Sequence, residues 1–328
     1  MDLLQPFSDL FGQAQQALFE GVVQPVLFHA GLGNVIEDAF NATGWLLVGI
    51  IQVAVLLAII GPLQRLRPVE PVKDRAEIRT DVIYTLIQRL GLFRIFLFFS
   101  VDPLFDAMFG RLSVWGVPTW QLDQAWPGVT DIGWVSFAIY LLAFDFLEYW
   151  IHRGQHGWRW WWSLHALHHS QRQMTMWSDN RNHVLDDILH DSIVVLAARF
   201  IGIAPGQFIA VVACTQLIEN LSHANLRVWF GPVLERVLVS PRFHRMHHSI
   251  GPGHESAGRG TLGGHNFAVL FPVWDMIFRT GNFECRYGPT GIRDQLPEEG
   301  GRDYGRGWWA QQRLGFVRLF GRFGRSRT

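Results

Sequence analysis

Histidine is where this sequence concentrates its chemistry. The chain has 14 of them in 328 residues, and they are clumped. The stretch DFLEYWIHRGQH places Asp145, Glu148, His152 and His156 at intervals of three, four and four. On a helix they form one polar stripe, from which both imidazoles can reach one ion. WWSLHALHHS supplies His165, His168 and His169, and FHRMHHS supplies His244, His247 and His248, so the same HxxHH spacing occurs twice. Positions i, i+3 and i+4 turn imidazoles off one side of a helical turn, and the adjacent pair fans by about 100°, enough to serve two ions. A lone histidine on a helix is ordinarily a packing residue, and the stripe from Asp145 to His156 would by itself suit a solvated helix end. Eight histidines from three motifs, however, overfill a single tetrahedral or octahedral shell, and a binuclear centre is the economical reading. Imidazole suits zinc, copper, iron and nickel alike, and neither an HExxH motif nor a cysteine joins the clusters. Paired metals at a membrane surface point to redox or oxygen chemistry.

The elements that must hold these motifs read as helices, partly in a bilayer. Hydrophobic residues make up 49% and charged ones 17%, with a mean hydropathy of +0.12, too apolar for an ordinary soluble protein. Lys+Arg and Asp+Glu are equal at 28, which gives no global pull toward nucleic acid. Cys214 and Cys285 stand far apart, so no disulfide framework or thiolate metal site is encoded. The first 42 residues contain no Lys or Arg, and the basic start of a secretory signal peptide is therefore missing. Gly44 to Pro62 is the clearest span. Arg65, Arg67, Lys73, Arg75 and Arg79 follow it, which places that linker in the cytosol and the N-terminus outside. A weaker span, Val82 to Val101, includes Arg89 and Arg94; a third runs from Ile132 to Ile151. Ile193 to Ile218, broken by Gly202, Pro205 and Gly206, reads as a hairpin of two short helices. This order leaves the histidine motifs and the C-terminus cytosolic. Residues 284–328 form a Gly- and Arg-rich basic tail, expected either on the anionic membrane surface or disordered.

In combination these residues carry a resemblance. From about Ile132 to Phe283 the chain resembles the fatty acid hydroxylase/sterol desaturase superfamily of integral-membrane, histidine-rich di-iron oxidases. DFLEYWIHRGQH, WSLHALHHS and PRFHRMHHS are similar to its three boxes in order and spacing, and HNFAVLFPVWDMIFRTG to its closing element, with Ala268 where glycine is usual. The resemblance implies an all-α membrane bundle with a cytosolic helical cap carrying the di-metal site. It also implies three parts: an N-terminal segment (1–131) with about two spans, a catalytic domain (132–283), and the tail (284–328). The implied activity is O2-dependent hydroxylation or desaturation of a lipid, whether sterol, fatty acyl chain or isoprenoid. Its cofactor would be two iron ions, with zinc as a possible substitute, and electrons would come from a separate ferredoxin or a cytochrome with its reductase. The implied ligands are His152, His156, His165, His168, His169, His223, His244, His247 and His248.

Further candidates divide between ligand and supporting roles. Glu219 lies four residues before His223, where the family has a histidine, and is open to three readings: ligand, orienting group or solvated carboxylate. His183, with Asp186 three residues on, is either a ligand or a hydrogen-bond partner, and His265 either a ligand or a loop residue. Asp145, two helical turns before His152, is expected to accept a ligand's ring N–H, and Asp275 either to support a ligand likewise or to take a helix-terminal hydrogen bond. His190 reads as packing or interfacial, His254 as an exposed loop residue, and His29 lies on the wrong side. Two rival functions carry the same clusters: a histidine-rich metal transporter, and a non-catalytic membrane protein that merely binds metal. Transport would place ionisable groups near the middle of several spans, whereas most of these lie after span ends.

Overall fold

The structure, a computed structural model, describes residues 5–118, 120–250 and 264–321. His254 and the end of the tail lie outside the described residues. Among those described the chain is helical, with one isolated antiparallel bridge between Ser249 and Thr290 and no strand. Helix α1 is Gln5–Leu18. Helix α2, Gly33–Leu66, is long and apolar enough to cross a bilayer, as is α6, Gly133–Gly157. Ile50, Ile51, Leu57 and Ile59 of α2 point outward, where lipid rather than water would suit them.

The expected second span is not one helix. Asp74 caps α3 (Arg75–Arg89) by accepting from the Ala76 and Glu77 amides. That helix stops at Leu90, and Gly91 at φ 81° turns the chain before α4 (Leu92–Ser100) begins. Helix α5 is Asp102–Val114. Arg89, at the end of α3, is buried and pairs with Asp179 at 3.1 Å. Backbones meet here, since a Cβ on Gly49 of α2 would stand 1.6 Å from the Arg89 carbonyl oxygen. The hairpin is present: α8 (Val184–Ile201) and α9 (Pro205–Ser222) flank a turn at Gly202, φ 72°.

Tyr140, Phe144 and Ile151 of α6 pack with Trp161 of α7 (Arg159–His169), Val194 and Ala198 of α8 and Val211 of α9. Two short helices complete the site: α10 (Pro241–His247), capped by the Ser240 hydroxyl, and α11 (Val273–Ile277). The basic tail is partly a structural element. Helix α12, Trp308–Gly321, buries Gln311, Gln312, Gly315 and Arg318. It lies against α7, where Arg318 Nε donates to the Ser163 carbonyl at 3.0 Å.

Candidate metal centre

The boxes sit at the end of α6, along α7 and on α10, and these three helices turn their imidazoles into one buried chamber. Two sets of four emerge. His152, His156, His169 and His247 form one, and His168, His223, His244 and His248 the other; within each, one ring nitrogen per residue lies within 4.8 Å of the rest. The stacked rings of His169 and His248, 4.2 Å apart, join them. Each quartet therefore draws on more than one box, as the fan of adjacent histidines requires. His165 belongs to neither set but lies at their seam, its ring 5.1 Å from those of His156, His168 and His169.

The rings are aimed. His152 Nδ1 lies 2.9 Å from the Phe267 carbonyl, His247 Nδ1 2.7 Å from the His265 carbonyl, and His223 Nδ1 2.8 Å from the Glu219 carbonyl. His165 Nδ1 lies 3.0 Å from Asp186 Oδ2. A carbonyl or carboxylate can only accept, so in all four rings Nδ1 carries the proton and Nε2 presents its lone pair to the chamber. In the second quartet Nε2 of His223 lies 3.2 Å from that of His168 and 3.0 Å from that of His244, which is 3.1 Å from that of His248. Nitrogens bound at about 2.1 Å and right angles to one ion stand about 3 Å apart. The donor set fits a metal ion. Burial first, then the neighbouring imidazoles, push His168 and His244 well below the ordinary histidine range, which keeps them neutral and ready to ligate.

The anchors have anchors of their own. Asn266 stands between the two accepting carbonyls at φ 62°, a left-handed conformation that asparagine tolerates. Its amide nitrogen donates to the Phe243 and Asn282 carbonyls, and its oxygen accepts from the Asn282 amide. Asp275 accepts from the Phe267 and Ala268 amides and the Thr280 hydroxyl, and so fixes the strand of chain that holds His152. Asp145 accepts from the Leu270 and Phe271 amides and the Trp274 indole. It ties α6 to that segment and takes no ring proton, unlike the role expected from its spacing. Asp186 serves His165, not His183, and also accepts from Gln155 and Trp161. Burial alone would raise its pKa; these donors outweigh it and hold the carboxyl below the usual range.

Three candidates lie apart from the quartets. His183 caps α8 by accepting from the Leu185 amide, and its Nε2 meets the Gln312 carbonyl of α12 at 3.0 Å, so both ring nitrogens are in use. His265 Nε2 is turned to the Met246 carbonyl at 3.2 Å. The Glu219 side chain faces a cavity beside the chamber while its backbone carbonyl holds His223. His190 bridges Glu148 and Asp191 at 2.7 and 3.1 Å. Asp179 was not foreseen: it stands 3.5 Å from His223 Nδ1 and pairs with Arg89. An arginine inside an apolar stretch was its only trace in the sequence.

Comparison with known proteins agrees with this arrangement. The family model for fatty acid hydroxylases matches residues 137–280, which contain every box. The ornithine lipid hydroxylase OlsE of Rhizobium tropici is 25% identical over 280 residues, covering 84% of this chain and 79% of that protein. Alkylglycerol monooxygenases of Caenorhabditis elegans and Danio rerio are 28% and 27% identical over 56% and 48% of the chain, which spans only about a third of each. No solved structure matches. By its boxes, their order and these relatives, the stretch 137–280 of the chain is similar to the fatty acid hydroxylases.

Proposed function

We propose that this chain is a membrane-embedded di-iron oxidase that hydroxylates a C–H bond of a lipid. In that reaction O2, two electrons and two protons convert R–H to R–OH and water. The observation that carries the reading is the fixed tautomer of His152, His165, His223 and His247, whose Nδ1 protons are all taken by acceptors outside the chamber. His152, His156, His169 and His247 would hold one ion, and His168, His223, His244 and His248 the other, with His165 within reach at the seam. Two iron ions, when bound, supply the redox chemistry that activates O2; zinc in their place would be inert to it. The chain supplies neutral imidazoles, a chamber closed to bulk water and an apolar approach for substrate. Electrons would come from a separate ferredoxin or cytochrome. Hydroxylation is favoured over desaturation because the relatives are named hydroxylases and monooxygenases.

The spans, with α2 and α6 as their core, would set the N-terminus outside and the boxes in the cytosol, where reduced carriers are found. Residues 132–283 would form the catalytic domain and 1–131 its membrane support. Metal analysis of the purified protein should find two iron ions per chain, and cells expressing it should accumulate a hydroxylated lipid. His247→Ala and His168→Ala remove one ligand from each quartet; each should abolish oxidation while the protein stays folded in the membrane. Full activity in both variants would refute the di-iron reading.

A further inference from the structure

Resting on the reading as a lipid oxidase, the structure also bears on which lipid. Two cavities meet beside the quartets. One, about 150 Å³, is lined by His152, His165, His168, His223 and His244. The other, about 130 Å³, lies within the helical bundle among Val48, Phe93, Phe144, Val194 and Phe208. Arg89, Glu148, His190, Asp191, Gln216 and Glu219 line both, so any molecule passing from the apolar cavity to the quartets passes these groups.

Some of this polar throat is satisfied internally. His190 is held between Glu148 and Asp191, and Arg89 reaches Asp179 and Asn220 through Nη2. The rest is not. Gln52, 2% exposed on α2 in the adjoining apolar cavity, donates Nε2 to the Ala213 carbonyl and to Gln216 Oε1. A carbonyl must receive an N–H, which fixes the amide's orientation and leaves Gln52 Oε1 with no partner among the described residues. Arg89, 5% exposed, likewise has no partner for Nε. The Glu219 carboxylate makes no hydrogen bond or ion pair among the described residues. Orphaned buried atoms such as Gln52 Oε1 and Arg89 Nε are costly unless a ligand or water completes them, and the half-buried Glu219 carboxylate is open to the same cavity.

Their chemistry is specific. Gln52 and Glu219 ask for hydrogen-bond donors, Arg89 Nε for one acceptor. Charge points the same way. Glu148, Asp191 and Glu219 face Arg89, Arg94 and His190 in these cavities, and Arg89 is already claimed by Asp179, which leaves three carboxylates against two basic groups. A metal pair would also draw on nearby carboxylates, but Asp179 and Asp186 answer that need, each beside an imidazole of the chamber. We infer that Glu219, with Gln52 and Arg89, selects a lipid whose headgroup carries an ammonium group next to an acceptor oxygen, and that this end of the molecule is brought to the quartets. On this assignment Glu219 is a positioning residue for substrate and not a ligand, although it stands where the family has a histidine.

The test is binding to the purified, iron-loaded, full-length protein in detergent, which does not depend on turnover. The probes are an ornithine-headgroup lipid, the same lipid acetylated on its side-chain amine, and an alkylglycerol of equal chain length. The free amine should bind at least about tenfold more tightly than either, the scale of one charged hydrogen bond. Glu219→Gln should remove that preference with iron content unchanged, and Glu219→Asp should restore part of it. Equal binding of the three probes by the wild type would overturn the inference, because water then suffices to fill the throat. Loss of iron from Glu219→Gln would overturn it too, by making Glu219 a ligand. Preference for the amine without oxidation of any probe, given O2 and a reductant, would uphold the recognition and defeat the hydroxylase reading.

Discussion

At the scale of single residues, the centre is a set of nitrogen lone pairs held in place by groups that never touch the chamber. Asp186 shows the logic most directly, since one carboxylate gathers His165, Gln155 and Trp161. Asp186→Ala frees the His165 ring to turn, and changes of this kind typically cost about 10- to 100-fold in metal affinity or activity. Iron content and turnover measured together should show that loss; an unaltered variant would mean that His165 has no part in the site. The ligand types were legible because a histidine announces its chemistry wherever it stands. The anchors were less so. Three of the four ring protons go to backbone carbonyls, at Phe267, His265 and Glu219, which any side chain could have provided. Asp145 was read as a ring acceptor because helical spacing put it below His152, but spacing along one helix says nothing of the segment 270–274, packed against it from 125 residues away, that takes its oxygens.

At the scale of elements, the sequence located the apolar helices and the break at Gly202 but not the break at Gly91. Residues 82–101 look like one span because composition takes no account of Gly91, whose positive φ ends one helix and starts another. Helix α12 was hidden for a different reason. Its buried face is Gln311, Gln312, Gly315 and Arg318, which are helically spaced yet polar or small, so a search for hydrophobic periodicity sees only a basic tail. Gly315 is the closest point of contact: a Cβ there would lie 2.2 Å from His183 Cδ2. Gly315→Ala should therefore lift α12 and cost about 1–3 kcal/mol, the usual range for overpacking. Gly321→Ala, with nothing within 4 Å, is the control. Thermal unfolding of the two variants in detergent checks this, and equal midpoints would show that α12 is not firmly docked.

At the scale of the whole molecule, the boxes stand at one end of α6, and the apolar cavity extends from them among helices that lipid would surround. The charge asymmetry about α2 would orient this body with the boxes in the cytosol, and Cys285 offers a native reporter because it is exposed. In intact cells an impermeant thiol reagent should label a Ser8→Cys probe and spare Cys285, which should react only after lysis. The reverse pattern would invert the topology and put the chamber on the side away from reduced carriers. The two span-length helices and the gathered boxes could be read from the sequence because both are local patterns. The throat could not, since Gln52, Arg89 and Glu219 come from three helices and meet only when these pack.

The contact between His183 and α12 also concerns time. A chain is synthesised from its N-terminus, and α12 emerges after every ligand has been made. Until it arrives, His183 lacks the Gln312 carbonyl, and the Val184 amide at the start of α8 lacks the Gln312 side-chain oxygen that accepts from it. Asp186, two residues further on, then holds His165 from a loose helix end. The histidine chamber of this protein is thus completed by a helix made after it, and a nascent chain carrying all the histidines of the chamber is not yet a chain able to fix them in place.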